Sequence, residues 1–362
     1  MKKLPLACIH RESHVRMGDF AGWQVPLFYS GIQEEYFDCL RGWGVFDISH
    51  LGKVLVHGPG GEDFLEWVSS RSMRGLPVGE GRFTFLLNQR GGIVDGVVIF
   101  HEMEDRWLVL TNAGGRERVV AWLNSLARQR PCTVGLRDLT ENQFLISIQG
   151  PESVSAIKEV FCWDIAYLPR FGTQRVRFQE HECSVARMSF SRLDGLEIRG
   201  ERGLGESLWC TLLDAVAALQ GKLCGFAVRD LLRFEAAFPL YGAEFDETVS
   251  PLELGRPDLI DWEKEDFIGR KPLVLEHKQG SKKKLVGLEV EGRRIPRCGF
   301  PIQSPQGIPC GYVTSGNYSF RLQKNLAMGL ITESYGGIGE TVIVSVPRTR
   351  VEARIVPLPF VS

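Results

Sequence analysis

The sequence predicts an α+β chain of more than one domain, ending in a small all-β barrel or jelly-roll-like domain. Three observations predict it. The chain has 362 residues, and single cores stop growing at roughly 250 to 300 residues. A strand followed by Gly-Pro and a helical pattern occurs twice, at residues 53–68 and again from residue 144. After residue 285 the pattern changes to short β-type runs separated by Gly and Pro, as in small barrels.

Each element follows from local chemistry. Residues 53–57 and 144–149 are apolar, β-rich runs that lead into Gly58-Pro59 and Gly150-Pro151. Glycine allows a tight exit from a strand, and proline suits the first turn of a helix. Two related α+β units are therefore expected. Residues 82–88 and 93–100 form two β-type runs around Gly91-Gly92, which predicts a hairpin. Another strand is expected over 107–112. Amphipathic helices are expected over 116–128, 206–220 and 226–237, the second carrying Leu208, Trp209, Leu212, Leu213, Val216 and Leu219 on one face. Residues 273–284, ending in three lysines, read as a polar connector.

Composition narrows the function classes. The formal net charge is -1, from 43 Lys plus Arg against 44 Asp plus Glu, so no global field draws nucleic acid or an anionic membrane. No apolar stretch approaches the roughly 20 residues that span a bilayer, and the N-terminal residues do not read as a signal peptide. The nine cysteines contain no C-x-x-C pair, which points to reduced thiols in a cytosol-like compartment.

Some residues stand out as chemistry. Asp95 lies between Val94 and Gly96 inside an apolar strand pattern. Desolvation there would favour its protonated form and suit it to proton transfer, whereas an edge strand would merely turn it to water. His10 and His14 have one-turn spacing, but no third ligand accompanies them, so no metal site is expected. Arg229 and Arg233 fall one turn apart among acidic neighbours, as an ion-paired face or a carboxylate fork. Glu197 lies in a short β pattern whose spacing alone assigns it no role. No P-loop, dinucleotide fingerprint or nucleophile elbow occurs.

Several segments in one order carry a resemblance. They include Met17-Gly-Asp-Phe-Ala-Gly-Trp23, Val45-Phe-Asp-Ile-Ser-His50, Leu87-Asn-Gln-Arg-Gly-Gly-Ile-Val-Asp95 and Gln149-Gly-Pro151. Arg229-Asp-Leu-Leu-Arg-Phe-Glu235, Pro239-Leu-Tyr-Gly-Ala-Glu244, Asp266-Phe-Ile-Gly-Arg270 and Gly311-Tyr-Val-Thr-Ser-Gly316 follow. Nearly the whole chain resembles the aminomethyltransferase (T-protein) family of the glycine cleavage system and its folate-dependent one-carbon relatives. The resemblance implies a three-lobed folate-binding architecture. Residues 1–272 would form the folate-binding region, with one lobe from about 1–52 with 140–272 and another from 53–139, and residues 282–362 the barrel domain.

It also implies an activity: transfer of a one-carbon unit from the aminomethyl-lipoyl arm of H-protein to tetrahydrofolate, with release of ammonia and no metal. Asp95 matches the family's essential carboxylate, which would orient the attacking nitrogen and help take its proton. Glu197 matches the acidic residue that grips the pterin, whose paired N–H groups a carboxylate accepts in fork fashion. Arg229 matches a ligand-site arginine, and Asn112, Phe83 and Tyr241 match pocket positions. Lipoylated H-protein is the implied transient partner.

Departures from the family pattern leave the donor open. Gly96 stands where relatives carry a second aspartate, and Phe190, Arg192 and Leu193 replace a tyrosine, a glycine and an acid. A folate-dependent demethylase acting on another methyl donor, or a non-catalytic folate-binding protein, are the alternatives.

Overall fold

A computed structural model describes residues 1–12, 15–129 and 133–361. His14 and Cys132 lie outside the described residues. The chain divides into two compact units. Met1–Leu65, Met73–Phe83 and Val97–Leu232 form the first; Glu66–Ser72, Thr84–Gly96 and Arg233–Ser362 form the second.

The first unit is built on a six-stranded sheet. Its spatial order is Thr173–Phe178, His181–Ala186, Gly195–Glu201, Gln143–Gln149, Gly44–Asp47 and Lys222–Leu223. Successive side chains in a strand point to opposite faces, and this sheet uses the two faces differently. Ile146, Ile148, Val185, Leu196 and Ile198 form one apolar core with Ala156 and Ile157 of the Ser153–Phe161 helix and with Leu208 and Leu212 of the Arg202–Ala218 helix. The intervening positions include Ser147, Gln149, Ser184, Glu197 and Arg199, so the other face is polar although Ser147, Gln149 and Glu197 are buried.

The repeated strand, Gly-Pro and helix pattern has a physical basis. Gly52–His57 leads to the Gly61–Val68 helix, and Gln143–Gln149 leads to Ser153–Phe161. Gly58 has φ 111° and Gly150 has φ 129°. A Cβ on Gly150 would lie 2.3 Å from the Gly42 carbonyl oxygen, and one on Gly58 would lie 2.5 Å from the Thr133 carbonyl oxygen. Both turns therefore require glycine.

A five-stranded sheet has the order Glu80–Leu87, Ile93–Met103, Arg106–Thr111, Gly52–His57 and Gly135–Asp138. Its first two strands are the expected hairpin, closed by the Asn88 N–H donating to Gly92 O at 2.8 Å. The expected helices occur over Arg116–Gln129, Arg202–Ala218 and Phe226–Glu235.

The second unit ends in a closed antiparallel barrel. Its strands run Lys283–Val290, Lys324–Thr332, Pro309–Ser319, Pro301–Gln303, Thr341–Val346 and Thr349–Val356 around the ring. Leu288, Ile302, Val313, Ile331, Val344 and Ile355 fill the interior. The α+β class with a C-terminal barrel is the observed architecture, and closure of the ring decides for a barrel over a jelly roll.

One segment differs from its sequence reading. Residues 273–284 read as a connector, but Arg270–Gln279 is helical. Pro272 lies in the first turn, where its missing N–H has no helical partner to lose. Leu273 is fully buried and anchors the helix, while most of the charged side chains that masked its periodicity are exposed.

The eight described cysteines are all free. Among the described residues no cluster of His, Cys, Asp or Glu could hold a metal ion, and no helix is long and apolar enough to cross a membrane.

Candidate functional site

Strand register in the first unit sets Phe46, Ser147, Glu197 and Ala186 in one cross-strand row. Neighbours in such a row lie within side-chain reach. Glu197 is 3% exposed, and its Oε2 is buried with no hydrogen-bond partner. Burial pushes its pKa up to about 7, while the charges of Arg229 and Lys53 pull against that rise. A carboxyl group in this state is a proton carrier at neutral pH and, once ionised, an acceptor for paired donors.

Aromatic and cationic groups border it. The Phe190 ring meets Phe46 edge-on at 5.7 Å, and the Arg229 guanidinium lies 4.5 Å from the Phe190 ring centroid. This geometry is a cation–π contact. The loop bearing Phe190 is stitched to the sheet. Arg187 holds Asp194 through two hydrogen bonds of 3.1 and 2.6 Å. Gln149 receives the Ser191 hydroxyl at 3.1 Å and donates to Ser147 Oγ at 2.9 Å and to Met188 O at 3.1 Å. Arg192 is exposed and keeps a left-handed backbone with φ 63°.

Two groups beside this row escaped the sequence reading. His50 is 1% exposed, and neither ring nitrogen has a hydrogen-bond partner. Burial drives its pKa down to about 3 and the nearby Arg229 charge adds to the effect, so the imidazole is neutral. Phe20 and Phe226 pack against it edge-on at 5.6 and 6.0 Å. Lys53 is fully buried, and its Nζ donates to Ser49 O at 3.0 Å and Leu51 O at 2.8 Å. Burial lowers its pKa to about 7 despite the carboxylate of Asp47. Periodicity carries no signal for either, because burial here comes from segments distant in the chain.

The remaining sequence candidates distribute as follows. Arg229 and Glu197 are brought together in the first unit, which also holds Asn112, half-buried after the Arg106–Thr111 strand, and Phe83, half-buried in Glu80–Leu87. Asp95 and Tyr241 belong to the second unit. Asp95 is fully buried in the Ile93–Met103 strand, and the Gly96 N–H donates to its Oδ1 at 2.9 Å. The hairpin that carries Asp95 is fastened where Ile93 N–H donates to Val249 O at 2.9 Å and Asn88 Nδ2 to Glu247 O at 2.8 Å. Tyr241 packs edge-on against Phe245 at 5.7 Å.

Orphaned buried polar atoms in a native fold call for a partner. A sheet with one polar face and, in the other unit, a terminal barrel define an α+β protein. Comparison with known proteins is specific. The family described as "GCVT N-terminal domain" matches residues 6–264, and the "Glycine cleavage T-protein C-terminal barrel domain" matches residues 283–362. The aminomethyltransferase of Thermosynechococcus vestitus is 35% identical over 362 residues, covering 99% of this chain and 95% of that one. That of Thermotoga neapolitana is 32% identical over 360 residues, covering 99% and 98%. The crystal structure of glycine cleavage system aminomethyltransferase T from Bartonella henselae superposes with a TM-score of 0.92 at 26% identity, covering 99% of this chain and 98% of that chain. The chain belongs to the glycine cleavage T-protein (aminomethyltransferase) family.

Proposed function

We propose that the protein is a tetrahydrofolate-dependent aminomethyltransferase of glycine cleavage. It takes the one-carbon unit from the aminomethyl-lipoyl arm of H-protein, forms methylenetetrahydrofolate and releases ammonia and the dihydrolipoyl arm. The observation that carries this reading is the buried Glu197 carboxyl group, whose Oε2 has no hydrogen-bond partner beside Arg229 and the Phe46–Phe190 wall. A pterin presents an amino group and a ring N–H side by side, and an ionised carboxylate accepts such a pair in fork fashion. Flat aromatic walls and an arginine suit the rest of a folate.

Asp95 is the proposed catalytic residue. It would orient the attacking folate nitrogen and take up its proton as the new carbon–nitrogen bond forms. Arg229, Asn112, Phe83 and Tyr241 are the proposed binding residues, with Glu197 as the pterin anchor. H-protein is the proposed transient partner, and no metal is needed for these steps.

The test is ammonia release from aminomethylated H-protein and tetrahydrofolate by the purified protein. Release no faster than without enzyme overturns the reading. A second reading keeps folate but changes the donor to a sulfonium or methylamine compound. Phe190 favours it, because this ring packs on Arg229 with no hydroxyl to offer a donor group. Turnover with such a compound, and none with H-protein, would select it.

A further inference from the structure

We propose that Glu197 exchanges its proton through an internal water site on the flank away from Phe46, and that this site communicates with an open cavity of the first unit. The inference rests on Glu197 as the pterin anchor and adds a route by which that anchor changes its protonation state.

Two cavities of the first unit share lining residues. A cavity of about 10 Å³ is lined by Phe100, Leu108, Leu110, Leu145 and Ala186, and by the polar residues Glu197, Glu102, Thr173, Ser184 and Arg199. A space of roughly 10 to 15 Å³ admits one water when two to four polar partners surround it. Glu102, Thr173, Ser184 and Arg199 also line a cavity of about 750 Å³. That larger cavity opens where strand pairing stops. The His181–Ala186 and Gly195–Glu201 strands pair from Ala186 with Glu197 as far as Ser184 with Arg199, and Cys183, Gly200 and Glu201 beyond that point line it.

The shared residues fall into two hydrogen-bonded groups, with Thr173 Oγ1 also donating to Val185 O at 3.1 Å. Thr173 Oγ1 and Ser184 Oγ are 3.0 Å apart. Arg199 donates to Glu102 and, at 2.9 Å, to Gln143 Oε1. In the cross-strand row Ala186 flanks Glu197 on the side of this cavity, and Ser147 and Phe46 flank it on the other. The route thus leaves from the side opposite the aromatic wall. The charged groups around Glu197 are Arg229 from the Phe226–Glu235 helix, Lys53 from the Gly52–His57 strand, Arg199 from its own strand and Glu102 from Ile93–Met103.

The proton balance requires that Glu197 give up any proton it carries when a pterin binds. A pterin offers Glu197 only donors, so a protonated carboxyl group must lose its proton for both oxygens to accept. The O–H bond breaks, a water in the small cavity takes the proton, and the larger cavity passes it to bulk solvent. With the pKa pushed up to about 7, a substantial share of molecules carry that proton at neutral pH.

Stopped-flow mixing with tetrahydrofolate near pH 7, in weak buffer with an indicator dye, reads proton release directly. Thr173→Val removes a cavity-lining hydroxyl without changing side-chain size, and Ala186→Val fills the small cavity. Each is expected to slow proton release about tenfold, the rate equivalent of one lost hydrogen bond, and Thr173→Val to leave tetrahydrofolate affinity unchanged. Glu197→Gln is expected to abolish the proton signal and weaken binding. Wild-type release rates in both cavity variants, with the signal still lost in Glu197→Gln, overturn the route and leave the pterin anchor standing. Undiminished signal and affinity in Glu197→Gln overturn the anchor itself. A second measurement does not depend on the variants folding. A high-resolution crystal structure of the wild-type protein should show a water bonded to Glu197 between Thr173, Ser184 and Arg199, and a dry cavity there overturns the proposal.

Discussion

The six-stranded sheet and the terminal barrel are both buried β-structures, yet they treat polar atoms in opposite ways. In the barrel, Leu288, Val313, Val344 and Ile355 point inward against one another. Its buried hydroxyls are committed, Thr314 to Glu244 at 3.0 Å and Ser319 to Glu235, and Gln303 Oε1 is the exception. In the sheet and beside it, Glu197 Oε2 and both His50 nitrogens are buried without hydrogen-bond partners. An unmet buried polar group costs about 1 to 3 kcal/mol. A region that retains several of them has been shaped by something other than stability, and one that satisfies nearly all of them serves mainly to hold the fold.

The contrast breaks or sharpens under substitution. Outside both, in the Ile93–Met103 strand, the largest effect is expected from Asp95→Asn, which should lower kcat by about 10²- to 10⁴-fold, the usual contribution of a positioned acid–base group. Ammonia release under saturating tetrahydrofolate measures it, and an unchanged kcat removes Asp95 from the chemistry. On the barrel side Leu288→Ala should cost about 2 to 5 kcal/mol in urea unfolding, with kcat unchanged in the folded fraction. An altered kcat would mean that the barrel does more than support.

Glu197→Gln should lower tetrahydrofolate affinity by about 1.5 to 3 kcal/mol, the range for hydrogen bonds to a charged group, as read by calorimetry. It should also change how stability depends on pH. The folded wild-type holds this proton up to about pH 7 and the unfolded chain only to about 4.5. Wild-type stability therefore falls as pH rises between those values. The melting temperature of Glu197→Gln should gain on wild-type from pH 5 to 8, and parallel profiles would show that Glu197 is not desolvated.

His50 acts with the opposite sign. Its folded pKa of about 3 lies below the ordinary 6.5, so its contribution is present above pH 6.5 and is lost as pH falls toward 3. His50→Leu should flatten that acid loss, which thermal melts across the range will read. The smallest effect is expected at Arg192, whose left-handed backbone favours glycine. Arg192→Gly should add less than about 1 kcal/mol, the relieved strain being partly offset by glycine's chain entropy. A loss of stability would show that the Arg192 side chain contributes more than its backbone strain costs.

Much of the fold was legible because its signals are local. Gly58-Pro59 and Gly150-Pro151 mark two turns that only glycine can make, and Gly91-Gly92 marks the hairpin beside Asp95. The Arg270–Gln279 helix was not legible, since its single fully buried anchor, Leu273, leaves too narrow an apolar stripe among lysines to stand out. Among the candidate residues, Asp95 was visible as a carboxylate in an apolar run. Glu197 was visible through the family resemblance and not through periodicity, whereas Arg229 stood out by its one-turn spacing from Arg233 and took its role from the resemblance. His50 and Lys53 gave no sign, because nothing in their own segments marks them as buried.

The sequence alone determined several of the strands and helices, the two Gly-Pro turns and which family the pattern resembles, since these depend on residues close together in the chain. Tertiary structure alone decided the state of the polar groups. Pairing Gly44–Asp47, Gln143–Gln149, Gly195–Glu201 and His181–Ala186 side by side sets Phe46, Ser147, Glu197 and Ala186 in one row. Desolvation and nearby charge then fix whether Glu197 carries a proton, and both depend on neighbours that the chain order keeps far apart.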